Sequence, residues 1–261
     1  MPSMESSRYG HVTFLTHDLP PRIATCGGYS GVYKRDCLVL QDGGWRGGKL
    51  DDLPDDRYWS ATARVDAGVF ILGGSRTPSS SVFLRANSRS WETGPQLPVS
   101  MRYGPCAAPI SAHSFLIVYG TDVYEFDTRV DGPTSNAGWG EWPQLQVSRI
   151  YWPGCAVFKR KLIIAGGYPD LKSTEIIDLE RKTIESGENM AKPRYKFHLL
   201  SIQGSLLAVG GAYYAGGIAW NYLADVEEFV EETETWKAAK AMPGKRSGFG
   251  GVAVNFDLVC G

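Results

Sequence analysis

The sequence predicts an all-β fold, a propeller of four-stranded sheets set in a ring. Three observations lead there: the composition, an internal repeat, and two further markers that run in phase with it. Composition leans toward strands and turns, because 31 Gly, 15 Pro, 13 Tyr and 8 Trp enrich turn formers and aromatics while long amphipathic helical runs are hard to find. With 261 residues, 43% apolar and 21% charged, the chain suits one globular domain with a sizeable core.

The repeat is a short apolar strand ending in a glycine pair. It reads Ile23-Ala-Thr-Cys-Gly-Gly28, Phe70-Ile-Leu-Gly-Gly74, Leu162-Ile-Ile-Ala-Gly-Gly167 and Leu206-Leu-Ala-Val-Gly-Gly211, with degenerate copies Leu116-Ile-Val-Tyr-Gly120 and Leu258-Val-Cys-Gly261. The final glycines lie at 28, 74, 120, 167, 211 and 261, in steps of 46, 46, 47, 44 and 50 residues. Such a period marks a stacked repeat architecture. An arginine followed within three residues by an aromatic opens each unit: Arg8, Arg57, Arg102, Arg149, Arg194 and Arg246. After the glycines comes an acidic and aromatic strand, as in Asp122-Val-Tyr-Glu-Phe-Asp127, Glu175-Ile-Ile-Asp178 and Asp225-Val-Glu-Glu-Phe229, and then a turn leading to Trp45, Trp91 or Trp236. Each unit therefore reads as four short strands. One such sheet buries too little apolar area to stand alone, whereas stacked radially it hides both faces.

These residues together resemble the kelch repeat: an opening Arg, Gly-Gly after an apolar strand, an acidic and aromatic strand, then Trp. The likeness runs from Arg8 to Gly261. It implies a six-bladed kelch β-propeller, with a short tail over residues 1–7, five full blades over about 8–50, 57–98, 102–145, 149–190 and 194–243, and an incomplete sixth over 246–261, about twenty-two strands in all. The first strand of each unit is expected innermost and the Trp strand outermost, so the half unit would close the inner ring. Its outer half has no evident source, which leaves either a piece of a longer protein or an open edge near residues 257–261. Two units depart from the pattern. Unit three has Tyr119-Gly120 for Gly-Gly and two candidate tryptophans, Trp139 and Trp142, while unit four has Ile184 where Trp is expected. Looser packing is expected in both.

The same resemblance, to the kelch domain of BTB-kelch adaptors, suggests a protein-interaction module such as the substrate-receiving part of a ubiquitin-ligase adaptor, with an actin-associated scaffold as a further reading. In such adaptors several opening arginines hold an acidic peptide. The matching positions are Arg8, Arg57, Arg102, Arg149, Arg194 and Arg246; the competing role for each is to satisfy backbone carbonyls. Loops after the glycine pairs add Tyr29, Arg76 and Tyr168, and the long segment Ala212-Tyr-Tyr-Ala-Gly-Gly-Ile-Ala-Trp-Asn-Tyr222 adds Tyr213, Tyr214 and Trp220.

Other classes find less support. A kelch-fold enzyme, such as a sugar epimerase or an oxidase-like protein, would need a polar pocket or metal ligands, and His11, His17, His113 and His198 are scattered without metal spacing. Catalysis and cofactors are not expected. A formal net charge of -1 gives no general attraction to nucleic acid or membrane. The run Asp51-Asp-Leu-Pro-Asp-Asp56 reads as a solvated interblade loop. The five cysteines are odd in number and far apart, so no disulfide framework is expected and a reducing, cytoplasmic setting fits. Residues 1–10 are polar and no stretch is long enough to span a bilayer.

Overall fold

The computed structural model describes Met4 and residues 7–215 and 219–254. These residues form a β-propeller with five blades, each a four-stranded antiparallel sheet. Blade 1 is β1 (Val12–Leu15), β2 (Ile23–Cys26), β3 (Cys37–Gln41) and β4 (Gly44–Arg46). Blade 2 is β5 (Ala61–Val65), β6 (Gly68–Leu72), β7 (Ser81–Arg85) and β8 (Trp91–Thr93), and blade 3 is β9 (Cys106–Pro109), β10 (Ser114–Tyr119), β11 (Asp122–Asp127) and β12 (Trp139–Glu141). Blade 4 is β13 (Gly154–Phe158), β14 (Lys161–Ala165), β15 (Thr174–Asp178) and β16 (Thr183–Gly187). Blade 5 is β17 (His198–Ile202) and β18 (Ser205–Val209), then β21 (Val226–Val230) and β22 (Thr235–Ala239), with a hairpin of β19 (Ala212–Ala215) and β20 (Ala219–Tyr222) inserted between them. The only helical piece among the described residues is a single 3-10 turn, Asn136–Gly138.

The inner strands β1, β5, β9, β13 and β17 lie side by side around a central channel. The second strands are mostly apolar, since most of them are covered on both faces; β6 is buried throughout. Four apolar cores sit between successive blades, and the outermost strand of each later blade reaches into the seam before it: Trp91, Trp139, Ile184 and Trp236 occupy equivalent places. The seam at Ile184 also holds Trp142, the extra tryptophan of unit three, which is buried in the same core with Lys182 Nζ 4.6 Å from its ring.

The expected sixth unit is seen only in part. Residues 246–254 form no strand, and the expected glycine strand at 258–261 lies outside the described residues. Twenty of the twenty-two described strands belong to the five blades, the other two to the β19–β20 hairpin, which the repeat pattern did not foresee. The segment 246–254 nevertheless runs between β17 and β1 and closes the inner ring. His11 Nε2 accepts from the Gly250 amide at 3.0 Å on one side, and His198 Nε2 pairs with the Phe249 carbonyl at 2.6 Å on the other.

The cysteines are a clear correction. Cys26 and Cys37 face each other in the β2–β3 register and are disulfide-bonded, and Cys106 of β9 is bonded to Cys155 of β13, joining blades 3 and 4. Separation along the chain hid this, because strand pairing and ring stacking bring together residues that lie 11 and 49 positions apart.

Candidate functional site

The interblade segments and the loops after the glycine pairs gather on one rim. The second glycine of a pair donates its amide to the carbonyl that opens the next unit: Gly28 to Arg57 (2.8 Å), Gly74 to Met101 (2.9 Å), Gly167 to Arg194 (2.9 Å) and Gly211 to Arg246 (2.8 Å). These second glycines hold φ between +94° and +118°, and a Cβ on the first glycine of each pair would come within 2.3 to 2.7 Å of the same opening carbonyl.

Two or three residues after each opening position comes a residue in the left-handed region: Gly10, Trp59, Gly104, Trp152, Lys196 and Gly248, with φ between +50° and +63°. Their backbones form a closed circuit of six hydrogen bonds. Trp59 donates to Gly10 (2.9 Å), Gly104 to Trp59 (2.9 Å), Trp152 to Gly104 (3.2 Å), Lys196 to Trp152 (3.2 Å), Gly248 to Lys196 (3.0 Å), and Gly10 back to Gly248 (2.8 Å). The glycines are needed because the indoles cross the mouth. A Cβ on Gly104 would strike the Trp152 ring, and one on Gly248 would come within 2.6 Å of Trp59. Below the mouth the inner strands enclose a cavity of about 410 Å³.

Four of the six opening arginines are buried within the blades. Arg8, Arg57, Arg149 and Arg194 are only 8%, 2%, 0% and 0% exposed. Each reaches back into its own blade, to the carbonyl of its first glycine and to a carboxylate: Arg8 to Gly27 and Asp36, Arg57 to Gly73 and Asp55, Arg149 to Gly166 and Glu175, Arg194 to Gly210 and Glu227. Burial lowers the Arg57 and Arg149 guanidinium pKa values, while Asp55 and Glu175 work in the opposite direction. Arg102 differs. In unit three Met101 takes the buried opening position, and β10 turns straight into β11 through Gly120 and Thr121, leaving no post-glycine loop. Arg102 is therefore exposed, and its amide donates to the Tyr119 hydroxyl at 3.4 Å. Arg246 is also exposed; the strand expected to receive it lies outside the described residues.

What the rim carries instead is aromatic. Tyr33, Tyr29, Tyr9, Tyr58, Trp59, Trp152, Tyr195, Trp220 and Tyr214 form an unbroken chain of ring contacts with centroids 5.0 to 6.1 Å apart. Tyr103, Tyr151 and Tyr168 branch from its centre. Of the loop residues expected from sequence, Tyr29, Tyr168, Tyr214 and Trp220 join this array, and the Arg76 guanidinium lies 4.7 Å over the Tyr33 ring. Tyr213 does not, because strand alternation turns it with its register partner Asn221 to the other face of the hairpin. The Tyr214 amide donates to Asp170 Oδ1 at 2.6 Å, tying the hairpin to blade 4. Tyr9, Tyr33, Tyr168 and Trp220 of the array are 37% to 49% exposed, and Tyr222 beside them on the hairpin is 52% exposed, so the rim presents real contact area.

Sequence reasoning missed Trp59, Trp152 and Lys196. The signal was present: the left-handed position is Gly in three units and a large residue in the other three. The Lys196 ammonium stands 4.3 Å from the Trp152 ring centre, 4.9 Å from Trp59, 5.2 Å from Trp220 and 5.8 Å from Tyr195. Burial lowers its pKa and raises that of the Tyr195 hydroxyl. His11 and His198 line the channel, where burial pulls His11 down to about 4 and lowers His198 as well. Both are engaged with the backbone of the closing segment. No group of three or more His, Cys, Asp or Glu able to hold a metal occurs among the described residues, and no helix is long and apolar enough to cross a membrane. No protein-family model and no curated protein matches the chain.

Proposed function

We propose that this propeller is a protein-interaction module whose aromatic rim receives a segment of a partner protein. The observation that carries the reading is the unbroken Tyr and Trp array on one rim, five of whose surrounding aromatics are substantially exposed. Rigid Tyr and Trp side chains beside Arg are the residues that dominate protein interfaces. An acidic segment fits best, because Arg76 and Arg102 lie on this rim with no carboxylate partner among the described residues. The anchors are then these two arginines with Tyr168, Tyr214 and Trp220, in place of the buried opening arginines.

The kelch assignment rests on the repeat signature alone, and a place in a ubiquitin ligase rests on that assignment. The two disulfides weigh against such a place, since they favour an oxidising compartment over a cytoplasmic one.

Peptides selected from a random displayed library against the folded chain test the reading. A Tyr168→Ala, Trp220→Ala variant with unchanged melting is expected to bind the selected peptides at least about 30-fold more weakly, the effect of one lost anchor of 2 kcal/mol. Equal binding by variant and wild type would remove the rim as the site.

A further inference from the structure

Three residues on the mouth circuit hold left-handed backbone without being glycine: Trp59 (φ 60°), Trp152 (φ 50°) and Lys196 (φ 56°). Such a conformation disfavours any side chain by roughly 1–2 kcal/mol, and clusters of it accompany binding sites more often than plain scaffold. Here the three side chains meet. Trp59, Trp152, Tyr195 and Trp220 surround a single ammonium, that of Lys196, at 4.3 to 5.8 Å from their ring centres.

The fit between occupant and box is incomplete. A lysine ammonium has three N–H donors, and among the described residues Lys196 Nζ has no hydrogen-bond acceptor and no carboxylate within salt-bridge distance. The rings satisfy its charge through their quadrupoles, and its donors are left to water at the open side of the box. A cation that keeps the charge but has no N–H matches the box better, because it forfeits no hydrogen bond on entering.

We propose that the aromatic box is a binding site for a quaternary ammonium group, with the Lys196 side chain as its displaceable internal occupant. The walls are preorganised. Tyr195 is fully buried, Trp59 lies against Gly10 and Gly248, and Trp152 lies over Gly104, so removing the lysine amine leaves the rings in place. Trp220, at 49% exposed, stands on the open side, where the four-carbon Lys196 stem can carry its ammonium out to water as a guest enters. The guest is either a small choline-like molecule or a trimethylated lysine on a partner chain, which present the same head group.

Tryptophan fluorescence reports the box directly, since three of its four walls are indoles. The folded chain is titrated with tetramethylammonium, choline, a trimethyllysine peptide, the same peptide unmodified, and 3,3-dimethylbutanol as a neutral isostere of choline, at constant ionic strength. Saturable quenching by the quaternary ligands, at least tenfold tighter than by the isostere, is expected. Lys196→Ala should bind them several-fold more tightly than wild type, because the competing internal cation is gone; a merely structural lysine would not produce that gain. Trp152→Ala should lose at least tenfold, with Trp220→Ala, in the exposed hairpin, as the substitute if Trp152→Ala does not fold. Choline above the peptide identifies a small-molecule site, and the reverse a modified partner segment. The proposal is overturned if neither wild type nor Lys196→Ala shows saturable binding, or if the neutral isostere binds as well as choline. Neither result would touch the acidic-segment reading, which shares Trp220 with the box but rests on Arg76, Arg102, Tyr168 and Tyr214 and takes a ligand of opposite charge.

Discussion

Arg149→Ala separates a scaffold arginine from a ligand-binding one. Arg149 and Glu175 have side chains 0% and 1% exposed, with Nε donating to Oε2 at 3.1 Å. The same guanidinium donates to the Gly166 carbonyl at 2.6 Å and to Ser173 Oγ at 3.1 Å, and Glu175 also accepts the Gln146 amide at 2.6 Å. Truncation leaves a buried carboxylate with one backbone donor for company, and a glycine carbonyl without its partner. Breaking a buried pair from one side costs about 3–5 kcal/mol, a large share of the roughly 5–15 kcal/mol that keeps a domain folded. At about 2–4 °C per kcal/mol for a domain of this size, the melting temperature should fall by roughly 6–20 °C. Arg149→Met with Glu175→Gln should recover part of the loss, since no uncompensated charge remains. Arg102→Ala, at an exposed site with no side-chain hydrogen bond, should stay within about 0.5 kcal/mol. Urea titration and calorimetry of the three variants decide it. A loss below about 1 kcal/mol for Arg149→Ala, or a loss as large for Arg102→Ala, would refute the assignment of the opening arginines.

Other consequences follow from the ring. Replacing Cys106 and Cys155 by Ser opens a 49-residue loop in the unfolded-state reckoning and should lower stability by about 4 kcal/mol, with alkylation and mass analysis of the unreduced wild type confirming the bond. His11 is held neutral at about 4 against an unfolded value near 6.5, so its contribution is present above 6.5 and is lost as pH falls from 6.5 toward 4. Stability should therefore decline by up to about 3 kcal/mol across that window, and His11→Gln, which keeps an acceptor for the Gly250 amide, should flatten the decline seen by calorimetry. Gly104→Val, which drives a branched side chain into the Trp152 ring at a φ of +57°, should destabilise by more than 2 kcal/mol and alter tryptophan emission.

Blade architecture was legible because the repeat writes the same physics several times. The runs around Phe70-Ile-Leu and Leu162-Ile-Ile are apolar on both faces, and only stacked sheets bury both. Trp91 and Trp236 mark the outer strands for the same reason. What could not be read were relations between units. Ile184 looked like a defect, and Trp142, some forty residues earlier in the chain, is buried in the same seam. Cys106 and Cys155 occupy matching points on neighbouring inner strands, which single-chain spacing conceals. The arginine motif was found with two roles open to it, ligand contact and satisfaction of backbone carbonyls; in four units the guanidinium is buried on the carbonyl of the first glycine. Arg102, Lys196 and the β19–β20 hairpin are places where the repeats differ, and of these only the long segment that forms the hairpin stood out in the sequence.

The most direct test of the rim as the interaction site is hydrogen exchange of backbone amides with and without a display-selected peptide bound. Protection should appear in the segments around Tyr29 to Tyr33, Arg102 to Gly104, Tyr151 to Trp152, Tyr168 to Asp170 and the β19–β20 hairpin, all on the aromatic rim. Protection confined to the opposite rim, at the turns around Asp18, Asp66, His113, Arg160 and Gln203, would contradict the account.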